Sequence, residues 1–207
     1  KHTLGVCSAL ATKNIFDSKD DALKTEMDKL WIHSFAVATL ARRLAEEKGL
    51  DNLETIYLMG LVHDIGKMLL MKVYADMYPD VSISDTDLQL AIHEIHTTFG
   101  GILLKKMHFS NQIIKIAEYH HWNQFEADTD NELLVISLAD ALTGEMGFDF
   151  FSKKNTSNSP EFEEGDLALE TEDEYALDRD KMMEKLTGLS ALNLLGLDPE
   201  KVFSVIE

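Results

Sequence analysis

Cysteine is all but missing: Cys7 is the single thiol in 207 residues, so neither an intrachain disulfide nor a multi-thiolate metal site can form. That usage suits a reducing cytoplasm. Basic residues are in deficit too, with 19 Lys and Arg against 37 Asp and Glu and a formal net charge of -18. Such a chain repels a polyanion at long range and offers no broad cationic stripe, which excludes binding of extended nucleic acid. A local cation could still hold a small phosphorylated substrate. No apolar run reaches the roughly 18 residues that span a bilayer, so no membrane helix is expected. The first residue is Lys1 rather than Met, and any upstream domain or signal peptide would be invisible here.

Apolar residues, at 45%, and a mere 3 prolines suffice for one sizeable core, so a single domain is the expected organisation. Asp20 and Asp21 can cap a long helix in which Leu23, Met27, Leu30, Trp31, Ala38, Ala41 and Ala45 recur near helical spacing until Gly49 stops it. A second helix is expected over 53–64, with a bend permitted at Gly66 and a helical continuation over 67–74. Ser84, with Asp87 three residues on, reads as the capped start of a third, which carries His93, His96, Gly100 and Gly101. Paired glycines inside a helix cost about 1 kcal/mol each relative to alanine, which suggests close helix contact there. Ser110 caps a short helix, Asp130 opens the stretch NELLVISLADALTGEMG, and Asp198, Pro199 and Glu200 start a last helix that sends Val202, Phe203 and Ile206 into the core. Strict alternation is rare, so the fold class is all-α. Residues 152–178 are polar, then strongly acidic, and read as a loop or insertion. The expected division is a core over 1–151, that acidic insertion, and helices over 179–207 packing on the same core.

One stretch does not suit a plain apolar core. LMGLVHDIGKMLL, residues 58–70, sets a histidine, an aspartate and a lysine in an otherwise apolar run, and a buried carboxylate costs several kcal/mol unless counter-charge and hydrogen bonds offset it. Asp140 repeats the problem in another helix, with no Lys or Arg within a turn of it. For Asp64 the local answer is Lys67, one turn away, although a helix break at Gly66 would weaken that pairing. A divalent cation shared with imidazoles would answer both. The candidate ligands are His33, His63 with Asp64, His96, His120 with His121, and Asp140, from five separate helical segments. A lone helical histidine is more often a core or surface residue than a ligand, and His2, His93 and His108 are left under that reading. Imidazole with carboxylate suits Fe, Mn, Zn, Ni or Co, and seven ligands exceed what one tetrahedral ion uses, so two ions are expected. Neighbours on a helix cannot point the same way, so His63 and Asp64 could feed one ion while the second carboxylate oxygen reaches another. His120 and His121 are likewise expected to serve neighbouring positions.

The order His, His-Asp, His, His-His, Asp, with HDIGK at its second element, resembles the HD superfamily of metal-dependent phosphohydrolases. Within it the chain is most similar to HDOD domains, the HD-related output domains of bacterial signalling proteins. The likeness runs over about 28–147, through WIHSFAVATLARRLAEEKGL, LMGLVHDIGKMLL, HTTFGGILLKKM, IAEYHHW and ISLADAL, and LLGLDPEKVFSVI is similar to the family's tail. It implies an HD-like helical bundle with a metal site between the helices, in which His33, His63, Asp64 and Asp140 hold one ion. Similarity to dinuclear members such as the HD-GYP phosphodiesterases implies that Asp64 bridges to a second ion held by His96, His120 and His121. Departures narrow the activity: HHWNQFEAD lacks the HHExxDGxGYP element of cyclic di-GMP cleavage, and Lys29 stands where trinuclear members carry Glu. The N-terminal helices usual in HDOD domains are also largely missing.

The implied function is a phosphohydrolase or phosphodiesterase acting on a nucleotide or other small phosphoester in bacterial signal transduction. Two ions about 3.5 to 4 Å apart would activate a water and take up charge on phosphoryl oxygens. Asp64 would hold them, while Lys67 would either steady a phosphate oxygen or simply pair with Asp64. Two alternatives stay open: a non-catalytic signalling output domain binding a protein partner, and a dinuclear iron oxygenase on the same fold.

Overall fold

Capped amphipathic stretches set the architecture. The computed structural model describes residues 13, 18, 20–79, 82–122, 124–148 and 179–206; Cys7, His2 and the acidic stretch 152–178 lie outside the described residues. Among the described residues every regular element is a helix.

Helix α1 (Asp21–Lys48) starts where the Asp20 carboxylate accepts the Leu23 amide at 2.8 Å and stops at Gly49, whose φ of 78° suits glycine. Its inner face buries Met27, Leu30, Val37, Ala41 and Leu44 completely. Helix α2 (Leu53–Val62) crosses α1 so closely that any side chain on Gly60 would strike the Ala38 backbone. The run expected as 53–64 ends at Val62, and α3 (Ile65–Met77) follows after a break at His63 and Asp64, where Asp64 takes φ -98° and ψ 15°. The bend is thus at the His-Asp pair, and Gly66 lies inside α3. Glycine is required there for contact: a Cβ would strike the His96 carbonyl and sit 2.7 Å from the Gly100 amide nitrogen of α4 (Thr86–Lys106). Gly100 and Gly101 do mark close packing, against Gly66 and Glu118 respectively.

The start of α4 differs from expectation. Asp85, not Ser84, is the cap, accepting from the Asp87 and Leu88 amides at 3.0 Å each, because Ser84 turns its hydroxyl to Glu26. Ser110 caps α5 (Asn111–Tyr119) through the Ile113 amide. Helix α6 (Asn131–Thr143) is apolar nearly all round, from Leu133 to Leu142, as a central helix must be. Asp130 precedes it without a side-chain cap bond and pairs instead with Lys115 of α5 at 2.6 Å. A widened π-turn, Gly144–Phe148, follows, with Gly147 at φ 87°.

Helices α7 (Arg179–Gly188), α8 (Ser190–Leu195) and α9 (Pro199–Ile206) fold back on α1 and α6. Lys48 bonds the Leu195 carbonyl and Arg43 the Val205 carbonyl, while Val202 and Phe203 are buried and Ile206 is only half-buried. The site lies where α1, the α2–α3 break, α4, the end of α5 and α6 meet. No helix among the described residues is long and apolar enough to cross a membrane.

Candidate metal centre

Packing brings all seven expected donors around one cavity, with His121 at its exposed edge. On a continuous helix adjacent side chains diverge by about 100°, but His63 and Asp64 straddle the break. Both therefore enter the same cavity, with His63 Nε2 3.4 Å from Asp64 Oδ2, and the divergence of neighbours on one helix does not apply to them. His33 faces inward from the buried stripe of α1, His96 from α4 beside the glycine crossing, and Asp140 from α6. His120 forms the C-cap of α5, and His121 follows.

Distances define two interlocked groups. His33 Nε2 is 3.4 Å from Asp64 Oδ2 and 3.1 Å from Asp140 Oδ1, and His63 Nε2 is 3.6 Å from that Asp140 oxygen. On the other side Asp64 Oδ1 is 3.2 Å from His96 Nε2 and 3.3 Å from His120 Nε2, which lie 3.4 Å apart. Asp64 thus offers one oxygen to each group. His121 Nδ1 stands 3.4 Å from Asp140 Oδ2, and the ring can also join Asp64, His96 and His120 around an ion. His63, His120 and Asp140 form a third possible grouping.

Hydrogen bonds fix the tautomers. Nδ1 of His33 lies 2.8 Å from the Phe148 carbonyl, that of His63 2.7 Å from Gly60, that of His96 2.6 Å from His93, and that of His120 3.1 Å from Ile116. A carbonyl only accepts, so each Nδ1 carries a proton and each Nε2 is the atom that faces the carboxylates, able to ligate wherever it is unprotonated. His33 Nε2, His63 Nε2 and Asp64 Oδ1 are buried without a hydrogen-bond partner. Donors about 2.1 Å from a shared ion stand about 3.0 to 3.4 Å from one another. The observed spacings are of that order, so this nitrogen and oxygen set fits divalent ions that accept imidazole and carboxylate.

Within the protein itself the two carboxylates are balanced by Lys67 and a proton. Lys67 Nζ is 2.6 Å from Asp64 Oδ2, both groups being buried; α3 is unbroken at Gly66, so the i,i+3 pairing closes. Burial alone would raise the pKa of Asp64, but Lys67 and then His63 hold it well below the usual carboxylate range. Burial would lower that of His33, yet the carboxylates of Asp140 and Asp64 outweigh it and push the imidazole up to about 10. Asp140 stays ionised despite burial because His33 and His63 face it. His120 moves the other way: burial lowers it and leaves it neutral and ready to ligate. His121 is lowered too, but its side chain is 36% exposed, so solvent offsets much of the desolvation that drives the shift.

A cleft of about 400 Å³ opens onto this centre, its walls including Lys67, His93, Trp122, Phe125, Ser137 and Lys185. His93, set aside on sequence, stands in this wall with its ring 5.0 Å from that of His121; its signal was its spacing of one turn from His96. Trp122 and Phe125 follow the His-His pair, so their nearness was readable. The Glu145–Lys185 pair, 2.8 Å apart at the rim, joins distant segments and left no local trace. His108 is exposed, with φ 59°.

Comparison with known proteins bears on this geometry. The HDOD domain model matches residues 1–123. The chain is also similar to a crystal structure from Shewanella amazonensis SB2B, provisionally named a metal-dependent phosphohydrolase. The two are 20% identical with a TM-score of 0.59, over 98% of this chain and 68% of that one. At that identity the likeness concerns the all-α fold. No protein of curated function matches the chain.

Proposed function

The chain belongs to the HDOD domain family, and from that premise we propose that its buried histidines and aspartates hold two divalent ions and hydrolyse a nucleotide or other small phosphoester. One observation carries the reading: four imidazoles locked with the proton on Nδ1 present Nε2 to two carboxylates at ligand spacing. His33, His63, Asp64 and Asp140 would hold one ion, and Asp64, His96, His120 and His121 the other, drawn from Fe, Mn, Zn, Ni or Co. Such ions, when bound, supply an acidified water and positive charge for phosphoryl oxygens. Asp64, with one oxygen toward each group, would contribute a ligand atom to both ions. Lys67 borders the cleft while holding Asp64, so its ammonium can also steady a phosphate oxygen. Trp122 and Phe125 offer an apolar wall to the organic part of the ester.

The test combines elemental analysis of purified protein with hydrolysis of a phosphomonoester and a phosphodiester panel before and after chelation. Two ions per chain, with cleavage abolished in Asp64→Ala, is the expected result. Bound metal with no turnover on the panel would overturn it. A second reading, a signalling output domain that binds a protein partner, is favoured by the Lys67–Asp64 contact, since an ammonium fixed on the shared carboxylate balances its charge without a substrate. Chelation would then shift the melting temperature and nothing else. Oxygen uptake with an organic substrate would point instead to a dinuclear iron oxygenase.

A further inference from the structure

Three of the four orienting hydrogen bonds are local. His63, His96 and His120 reach carbonyls three or four residues earlier, so helical backbone alone fixes their rings. His33 differs: its acceptor, Phe148, is 115 residues away in sequence, at the end of the π-turn. Two features hold that turn. Gly147 sits at φ 87° with nothing within 4 Å of where a Cβ would be, so glycine is required for its backbone angle and not for space. Glu145, in the same turn, pairs with Lys185 of α7 at 2.8 Å.

We propose that Gly144–Phe148 is a positioning element for the His33 group: the Phe148 carbonyl aims His33 Nε2 at Asp64 and Asp140, and the Glu145–Lys185 pair couples that aim to α7. A shift of α7 then tunes ion affinity on the His33 side and leaves the His96 side unchanged. The proposal rests on the metal reading above. Loss of an orienting partner typically weakens a metal site by about ten to a hundredfold, whereas an exposed ion pair contributes about threefold or less.

Titration of the full-length, metal-stripped protein with Co²⁺, followed by its visible absorption, tests it. Gly147→Ala should weaken one of two Co²⁺ sites about tenfold or more and leave the other within about twofold, and Lys185→Met should weaken the same site about threefold. Gly49→Ala is the control: Gly49 shares a positive φ of 78° and open surroundings, so it carries the same backbone strain at the far end of α1, and both sites should persist. In ¹⁵N-resolved NMR spectra the His33 Nδ1–H signal should broaden or vanish in Gly147→Ala, with those of His63, His96 and His120 retained. Failure of the unmodified protein to bind Co²⁺ would overturn the metal reading itself. Two sites of unchanged affinity in Gly147→Ala, or equal weakening of both, would overturn this proposal alone.

Discussion

Asp64 concentrates the chemistry of the molecule in one side chain, fully buried and surrounded by Lys67 and four imidazoles. Replacing it with asparagine leaves Lys67 buried against a neutral amide, a loss of about 3 to 5 kcal/mol. Lys67→Met in the same chain should return part of that, and a double-mutant cycle by urea unfolding will show strict additivity if the two do not interact. The histidines give the metal-stripped protein a pH signature. His33 is raised from 6.5 to about 10, so its contribution is whole below pH 6.5 and fades as pH climbs toward 10. His121 is lowered, by an amount its 36% exposure reduces, so its contribution is whole above pH 6.5 and is lost as pH falls below that. Stability should therefore peak near pH 6.5, which urea midpoints from about pH 5 to about pH 9 will reveal as a maximum or refute as a monotonic trend. Asp64 and Asp140 stood out in the sequence because a carboxylate inside an apolar helical run demands a partner, whereas His33, His63, His96, His120 and His121 stood out only through their combined order. His93 did not, because a lone imidazole on a mixed helix face carries no such demand.

Helix ends were readable wherever one residue's chemistry decides them, as at Asp20, Gly49 and Ser110. The break at His63 and Asp64 was not, since neither glycine nor proline marks it and the packing of α3 on α4 imposes it. Gly66 was noticed for the wrong property: a sequence cannot say whether a glycine frees the backbone or removes a side chain. Its role predicts a specific defect. Gly66→Ala must push α3 away from α4, costing about 1 to 3 kcal/mol or more and drawing Asp64 from His96. Gly60→Ala should instead part α2 from α1, on the His33 and His63 side. Melting curves with metal stoichiometry will separate the two variants; an unchanged melting temperature in Gly66→Ala would show that the crossing is looser than drawn.

At the scale of the whole molecule, a charge of -18 surrounds a cleft meant, on the proposed function, for an anion. Repulsion should slow encounter at low salt, so kcat/KM for a phosphoester should rise as ionic strength approaches about 0.1 M, where screening acts within about 10 Å. A fall over that range would mean that local cations such as Lys67 and Lys185 govern capture. The all-α class followed from helical periodicity and the rarity of strand-like alternation, whereas the reach of Phe148 to His33 is a product of tertiary folding that no local pattern records. The buried apolar cluster runs from Leu23 to Phe203 through every described α-helix, so chelation should lower the melting temperature while far-ultraviolet circular dichroism stays helical. A ring of donors drawn from five helical segments then has a mechanical meaning: on the proposed function, an ion among them would be a removable rivet through parts of the fold otherwise joined by apolar contacts. Metal supply would thereby set how often the helices breathe apart, and with it how long the protein survives a protease.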